Sequence, residues 1–172
     1  DFVNIASKTK PIAMLAEGTN IMGADMSNED EVKNKIKQVV ESTSEIILAD
    51  FSYTDIDRLK TFHEVATATR RRLAISLRQA YILNKLASDK NLRIPAITSD
   101  NHIAIYQRRK KNYRQWEKEL LNSENAVTSS EIREKQKSTI LVCSFSDMKE
   151  LVEIRPSSGS NFILSMSEPF NE

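Results

Sequence analysis

Short apolar runs of strand length alternate with amphipathic helical segments in the first half of the chain, and this alternation restricts the fold more than any other feature. The runs at residues 10–17, 45–50 and 72–77 are rich in apolar residues, as expected for strands that helices cover on both faces. The segments between them repeat apolar residues at helical spacing. This β-α-β-α-β-α order predicts an α/β fold with a three-layer, mostly parallel, doubly wound (Rossmann-like) sheet and helices on both faces.

The helices of this pattern have recognisable starts. Asn28 with Glu31, and Thr128 with Glu131, have the spacing of a capping box, in which side chains bond to the free N–H groups of the first turn. The first three helices are predicted over residues 27–43, 53–69 and 78–90.

The pattern is less regular beyond residue 91, but strand and helix signals continue. A basic run after the fourth strand enters an aromatic-containing helix, and a polar connector then precedes a further buried strand. The predicted elements are a strand at 102–107, the basic run and helix at 108–121, the connector at 122–130, a strand at 138–145, a helix at 146–154, a turn at 156–160 and a last strand at 161–169.

Length and composition are those of one ordinary globular domain. The chain has 172 residues, of which 40% are apolar and 28% charged, and no apolar run approaches the roughly 18 residues of a membrane span. The single Cys143 has no partner for an internal disulfide, which favours a reducing, cytoplasmic location. Because the chain starts at Asp1 and stops just after a predicted strand, we expect it to be a piece of a longer protein.

The sequence lacks the motifs of several enzyme classes. The three glycines do not form a dinucleotide-binding or P-loop motif. Two histidines, His63 and His102, are too few for a catalytic zinc site, so no metal ligand is predicted in this chain. Cys143 lies within an apolar run, where cysteine is normally an unreactive small hydrophobic residue.

Polar residues collect where the predicted strands end. The carboxyl ends of parallel strands share one edge, where α/β proteins bind their ligands. Hydroxyl groups there suit phosphate and sugar ligands, but serines in such positions are also common helix caps. The residues expected at this edge are Glu17, Thr19, Asn20, Asp50, Ser52, Ser76, Arg78, Ser144, Ser146, Ser165, Ser167 and Glu168.

Glu17 is the first candidate for a functional side chain. It ends the first apolar run and is followed by a Gly-Thr-Asn turn. The alternative interpretation is a glutamate at the end of a strand that simply faces water.

The basic run Arg108, Arg109, Lys110 and Lys111 is the second candidate. Tyr106 and Tyr113 flank it, so cations and rings are both available to a nucleic-acid strand. The alternative is a solvated helix entry, and the net charge of +1 shows no nucleic-acid footprint over the whole chain.

The stretches LAEGTN, ADFSYTDIDR and SMSEPF, in this order over nearly the whole chain, resemble the β-CASP domain of archaeal metallo-β-lactamase-type ribonucleases similar to RNase J. The resemblance implies a β-CASP domain that caps the two-zinc site of a metallo-β-lactamase domain in the same chain, with single-stranded RNA between them. That domain and its zinc ligands would lie outside residues 1–172. A homodimer is a further expectation for the full-length protein.

The resemblance also implies roles for particular residues. Glu17 would orient a zinc-ligand histidine of the missing domain, and Thr19, Asn20 and Ser52 would line the site. Ser165, Ser167 and Glu168 would lie near the entering RNA. Met166 and the lack of glycines depart from the family pattern there, which weakens the expectation of a close backbone approach to phosphate.

Two functions follow as alternatives. The first is the RNA-clamping portion of a zinc-dependent ribonuclease, inactive without the domain that holds the metal. The second is an independent α/β module that binds a small phosphorylated ligand through the same strand-end hydroxyls.

Overall fold

The computed structural model of the chain describes Lys8 and residues 28–165. The predicted strand at residues 10–17 lies outside this part of the chain. So do the candidate residues Glu17, Thr19, Asn20, Ser167 and Glu168, whose roles therefore stay predictions.

Six strands and six α-helices are described. The strands are β1 (Ile47–Asp50), β2 (Arg72–Ser76), β3 (Ile103–Tyr106), β4 (Ala126–Val127), β5 (Thr139–Val142) and β6 (Asn161–Leu164). The helices are α1 (Glu29–Ser42), α2 (Ile56–Ala68), α3 (Leu77–Leu86), α4 (Gln115–Leu121), α5 (Ser129–Glu134) and α6 (Leu151–Ile154). Short 3₁₀ helices occupy Lys90–Leu92, Gln136–Ser138 and Phe145–Glu150.

The six strands form one parallel sheet in the order β4-β3-β2-β5-β1-β6. Ile47 of β1 lies opposite Ile140 of β5 on one side and Asn161 of β6 on the other. Apolar side chains alternate between two cores, one on each face of the sheet. Helices α1 to α4 cover the first face, and α5 and α6 cover the second. The three-layer, doubly wound α/β prediction is confirmed.

Local side-chain hydrogen bonds start the helices where the sequence predicts them. The Glu31 backbone N–H donates to Asn28 Oδ1 over 2.9 Å at the start of α1. Thr128 and Glu131 form the predicted capping box at the start of α5. These contacts satisfy N–H groups that have no partner within the helix. Among the described residues, no helix has both the length and the apolar character needed to cross a membrane.

The structure differs from the sequence prediction in three places. The predicted polar connector contains β4, because Ile105 N–H and Gln107 N–H donate to the carbonyls of Asn125 and Val127 over 2.8 Å each. The predicted helix at 146–154 begins as the 3₁₀ helix Phe145–Glu150, and the helix predicted over 78–90 ends at Leu86. A two-residue strand between polar neighbours has too short a hydrophobic pattern to be recognised from sequence.

Candidate nucleic-acid interface

The carboxyl end of β5 is a point where the connections leave the sheet in opposite directions. Its neighbours β1 and β2 lead to α2 and α3 on the first face, whereas β5 leads to the Phe145–Glu150 segment and α6 on the second. The connections therefore diverge on both sides of β5, the topology that in open α/β sheets opens a crevice above the strand end. Crevices of this kind are the usual ligand sites of open α/β sheets.

Asp50 connects the strand ends at this crevice. Its carboxylate is buried, with 5% of the residue exposed, and Oδ2 accepts a hydrogen bond from Phe145 N–H over 3.0 Å. Its backbone carbonyl accepts from Ser165 N–H over 2.8 Å, which extends the pairing of β1 and β6. Asp50 thus fixes the residues that follow β5 and β6 against the end of β1.

Ser52, a predicted site residue, is exposed beside this crevice. Its hydroxyl shares a 2.9 Å hydrogen bond with Thr54 Oγ1, and its carbonyl accepts from Asp55 N–H over 3.0 Å. The turn that results leads directly into α2. The pair of neighbouring hydroxyl groups faces solvent and is available to a polar ligand.

Ser165, the other predicted site residue that the structure describes at a strand end, is engaged by Arg58. The Arg58 guanidinium donates to the Ser165 hydroxyl and also to both Glu29 oxygens, over 3.0 and 3.2 Å. Burial would raise the pKa of the Glu29 carboxyl, but hydrogen bonds from Arg58 and Thr61 outweigh it and hold this pKa below its usual value. Arg58 therefore orients Ser165 at the end of β6 and joins it to α1.

The other strand-end serines have mainly local roles. Ser76 forms a capping box with Gln79 at the start of α3, which confirms the capping interpretation for that residue. The Ser144 hydroxyl bonds Ser146 Oγ and Asp147 Oδ2 over 2.7 Å each and so stabilises the turn after β5.

Most cations of the basic run are paired with carboxylates. Arg108 contacts Asp147 and Glu150, Arg109 Nη1 lies 2.6 Å from Glu153 Oε1, and Lys110 contacts Glu117. Lys111 is exposed and has no ion pair with another described residue. These contacts favour the helix-entry interpretation for Arg108, Arg109 and Lys110, and RNA contact by the run stays a prediction.

Glu150 anchors this paired segment to the second core. Its buried carboxylate accepts from the Tyr106 hydroxyl over 3.0 Å and lies 3.5 Å from Arg108 Nε. Burial, together with this carboxylate, raises the pKa of Tyr106 far above its usual value, so the phenol remains a donor. The cluster of Tyr106, Arg108 and Glu150 stabilises the fold, and its paired charges leave little net charge to attract a ligand.

Two exposed aromatic side chains beside the crevice were not among the sequence candidates. Tyr53 follows Ser52 and is 46% exposed, with the Arg78 guanidinium 4.7 Å from its ring centroid. Phe145 lies three residues after the end of β5 and is 77% exposed. The sequence offers no reliable signal for this exposure, because Phe51 also follows a strand end and is buried.

The histidines and clefts point to no metal centre in the described part of the chain. His63 Nε2 lies 2.8 Å from Asp100 Oδ2, and His102 Nδ1 lies 3.0 Å from the Arg71 carbonyl. Within residues 28–165, no group of three His, Cys, Asp or Glu side chains is arranged to hold a metal ion. Clefts of about 700 and 470 Å³ are formed by described residues, and neither is lined by Ser52, Ser144 or Ser165.

Cys143 is expected to resist alkylation in the folded protein. Its thiol is buried beside the second core, and burial, with the charges of Asp147 and Asp50, raises its pKa to about 11. The reactive thiolate is therefore scarce at pH 8. Iodoacetamide labelling followed by intact-mass measurement should be at least about tenfold slower in buffer than in 8 M urea, and equal rates would contradict this burial.

The comparisons with known proteins identify no relative. No protein-family model matches the chain, and no curated protein is similar to it.

Proposed function

We propose that this chain is the RNA-clamping β-CASP portion of a zinc-dependent metallo-β-lactamase-fold ribonuclease that acts on single-stranded RNA in the cytoplasm. The observation that supports it best is the composition of the crevice above β5. Exposed hydroxyls, an arginine and two exposed rings follow the carboxyl ends of β1, β2 and β5, the edge where α/β proteins bind ligands. Single-stranded nucleic acid is bound by this combination of stacking surfaces and backbone contacts.

The proposed function assigns RNA binding and metal-dependent hydrolysis to different domains. The proposal assigns the two zinc ions and the attacking hydroxide to another domain of the longer protein. This chain contributes binding and orientation. Ser52 and Ser165 lie at the carboxyl edge, and Glu17, Thr19, Asn20, Ser167 and Glu168 would complete it.

The test is cleavage of a labelled single-stranded RNA by the longer protein that contains this sequence, as wild type and as Glu17→Gln. We expect a roughly tenfold to hundredfold loss of turnover at saturating RNA, the size typical when the partner of a metal ligand is changed. Glu124→Gln is the matched control, because Glu124 is exposed and precedes β4, the edge strand that three other strands separate from β1.

Zinc content is measured on the same samples, to show whether cleavage accompanies bound zinc. The proposal predicts stoichiometric zinc in the longer protein, and neither zinc nor cleavage in residues 1–172 alone. Zinc-dependent cleavage by the isolated chain would contradict it, as would wild-type turnover in Glu17→Gln.

A further inference from the structure

Tyr53 and Phe145 are exposed aromatic residues that belong to neither hydrophobic core. Phe145 is the most exposed of the large hydrophobic residues that the structure describes, and Tyr53 is nearly half exposed. Exposed aromatic side chains forfeit the hydrophobic stabilisation that burial would give, so neither is accounted for by folding.

The two rings occupy corresponding positions on the sheet. Tyr53 belongs to the turn that leads from β1 to the first face, and Phe145 begins the segment that leads from β5 to the second face. β1 and β5 are neighbours in the sheet, and the buried Asp50 carboxylate bonds the Phe145 backbone. The two residues therefore follow neighbouring strand ends, on connections that lead to opposite faces, and the Phe145 backbone is held by Asp50.

The Tyr53 ring is also held in position. The Arg78 guanidinium, which comes from the start of α3, lies against it at 4.7 Å, across the end of β5. A cation over one face of the ring restricts its motion and leaves the rest of its surface open to solvent. The arginine itself is exposed and has no carboxylate partner among the described residues.

Tyr81 is a similar exposed tyrosine with a cation beside its ring, and packing alone explains its position. Tyr81 is 37% exposed and has Lys85 Nζ 5.4 Å from its centroid, so it resembles Tyr53 in both respects. Its ring, however, packs against Trp116 at 4.9 Å, and Trp116 packs on the first core. Tyr81 thus has a packing role, which neither Tyr53 nor Phe145 shows among the described residues.

We propose that Tyr53 and Phe145 are stacking surfaces for bases of a single-stranded RNA, with Arg78 supporting the Tyr53 ring and contacting the backbone. This inference rests on the proposed function and adds to it the residues that bind the bases. Stacking tolerates any base, so the interface binds RNA with little sequence preference. The contribution of the rings is apolar, so it depends little on salt, unlike phosphate contacts.

The experiment is a fluorescence-anisotropy titration of a labelled 12-nucleotide single-stranded RNA with residues 1–172 at three salt concentrations. We expect Tyr53→Leu and Phe145→Leu each to weaken binding about tenfold, by a factor that stays constant as salt rises. Tyr53→Phe retains the ring and should remain within about twofold of wild type. Tyr81→Leu is the matched control and should bind like wild type.

A second RNA tests whether the loss of affinity in the leucine variants comes from base stacking. In an RNA of equal length with abasic sites, no base is available to stack, so the difference between wild type and Tyr53→Leu should disappear. Urea unfolding of each variant checks that the fold is unchanged.

The outcomes distinguish the two proposals. If wild type binds RNA but both leucine variants bind equally well, the stacking assignment is wrong and the proposed function stands. If the losses are as large with abasic RNA, the rings act through the backbone and the assignment is also wrong. If wild type binds no single-stranded RNA even at low salt, the stacking assignment is wrong, and cleavage by the longer protein decides the proposed function.

Discussion

Replacing Phe62 by alanine is expected to lower the free energy of unfolding by about 3–5 kcal/mol, the usual cost of deleting a buried aromatic side chain. Phe62 is 0% exposed in the centre of the first core. Its ring lies parallel to that of Phe51, at 5.0 Å between centroids and 9° between planes. The substitution removes this contact and leaves a cavity that the surrounding strands and α2 fill only in part.

Urea unfolding followed by circular dichroism measures this effect, with Phe145→Ala as the control. Each substitution deletes a phenyl ring, but Phe145 is mostly exposed. Phe145→Ala should therefore lower the free energy of unfolding by less than about 0.5 kcal/mol. Similar losses in the two variants would show that Phe62 is not the core residue that its burial indicates.

The Phe51–Phe62 contact also connects the core to the candidate interface. Phe51 follows β1 directly and is followed by Ser52 and Tyr53, so its buried ring fixes the start of the exposed turn. The exposed turn is therefore anchored directly to the first core. Binding surfaces on such supports lose less conformational entropy when a ligand binds.

The fold could be predicted from sequence because its signals are local. The apolar runs at 45–50 and 72–77 became β1 and β2, and Thr128 with Glu131 caps α5 as the spacing indicates. Strand order and pairing follow from long-range contacts that no single run encodes. The two-residue β4 had no pattern long enough to recognise.

The site could be predicted only as an edge of the sheet. The sequence placed Ser52 and Ser165 at strand ends, which the structure bears out, but it did not show that Arg58 engages the Ser165 hydroxyl. Nor did it show that Arg108, Arg109 and Lys110 each have a carboxylate partner. Most of these partners are distant in sequence, so the pairing of charges is established only in the folded chain.

Arg71 is the clearest case of a charge whose role the sequence conceals. It lies in a run of three arginines, Arg70 to Arg72, yet its side chain is buried and donates to backbone carbonyls near the end of α1. Nη1 bonds the Glu45 carbonyl over 2.7 Å, and Nη2 bonds the Thr43 carbonyl. Burial lowers the pKa of the guanidinium, and the Glu45 charge acts against this shift.

Arg71→Met is accordingly expected to destabilise the protein by about 2–4 kcal/mol, because it leaves at least two carbonyls without their charged donor while preserving most of the side-chain volume. Arg70→Met is the matched control. Arg70 is exposed and has a φ of 57°, so methionine there removes one charge without burying anything or changing the backbone strain. Urea unfolding of the two variants in parallel measures the difference. A loss that is equal in both would assign the effect to net charge, whereas a loss confined to Arg71→Met identifies a buried cation that joins α1 to the start of the sheet.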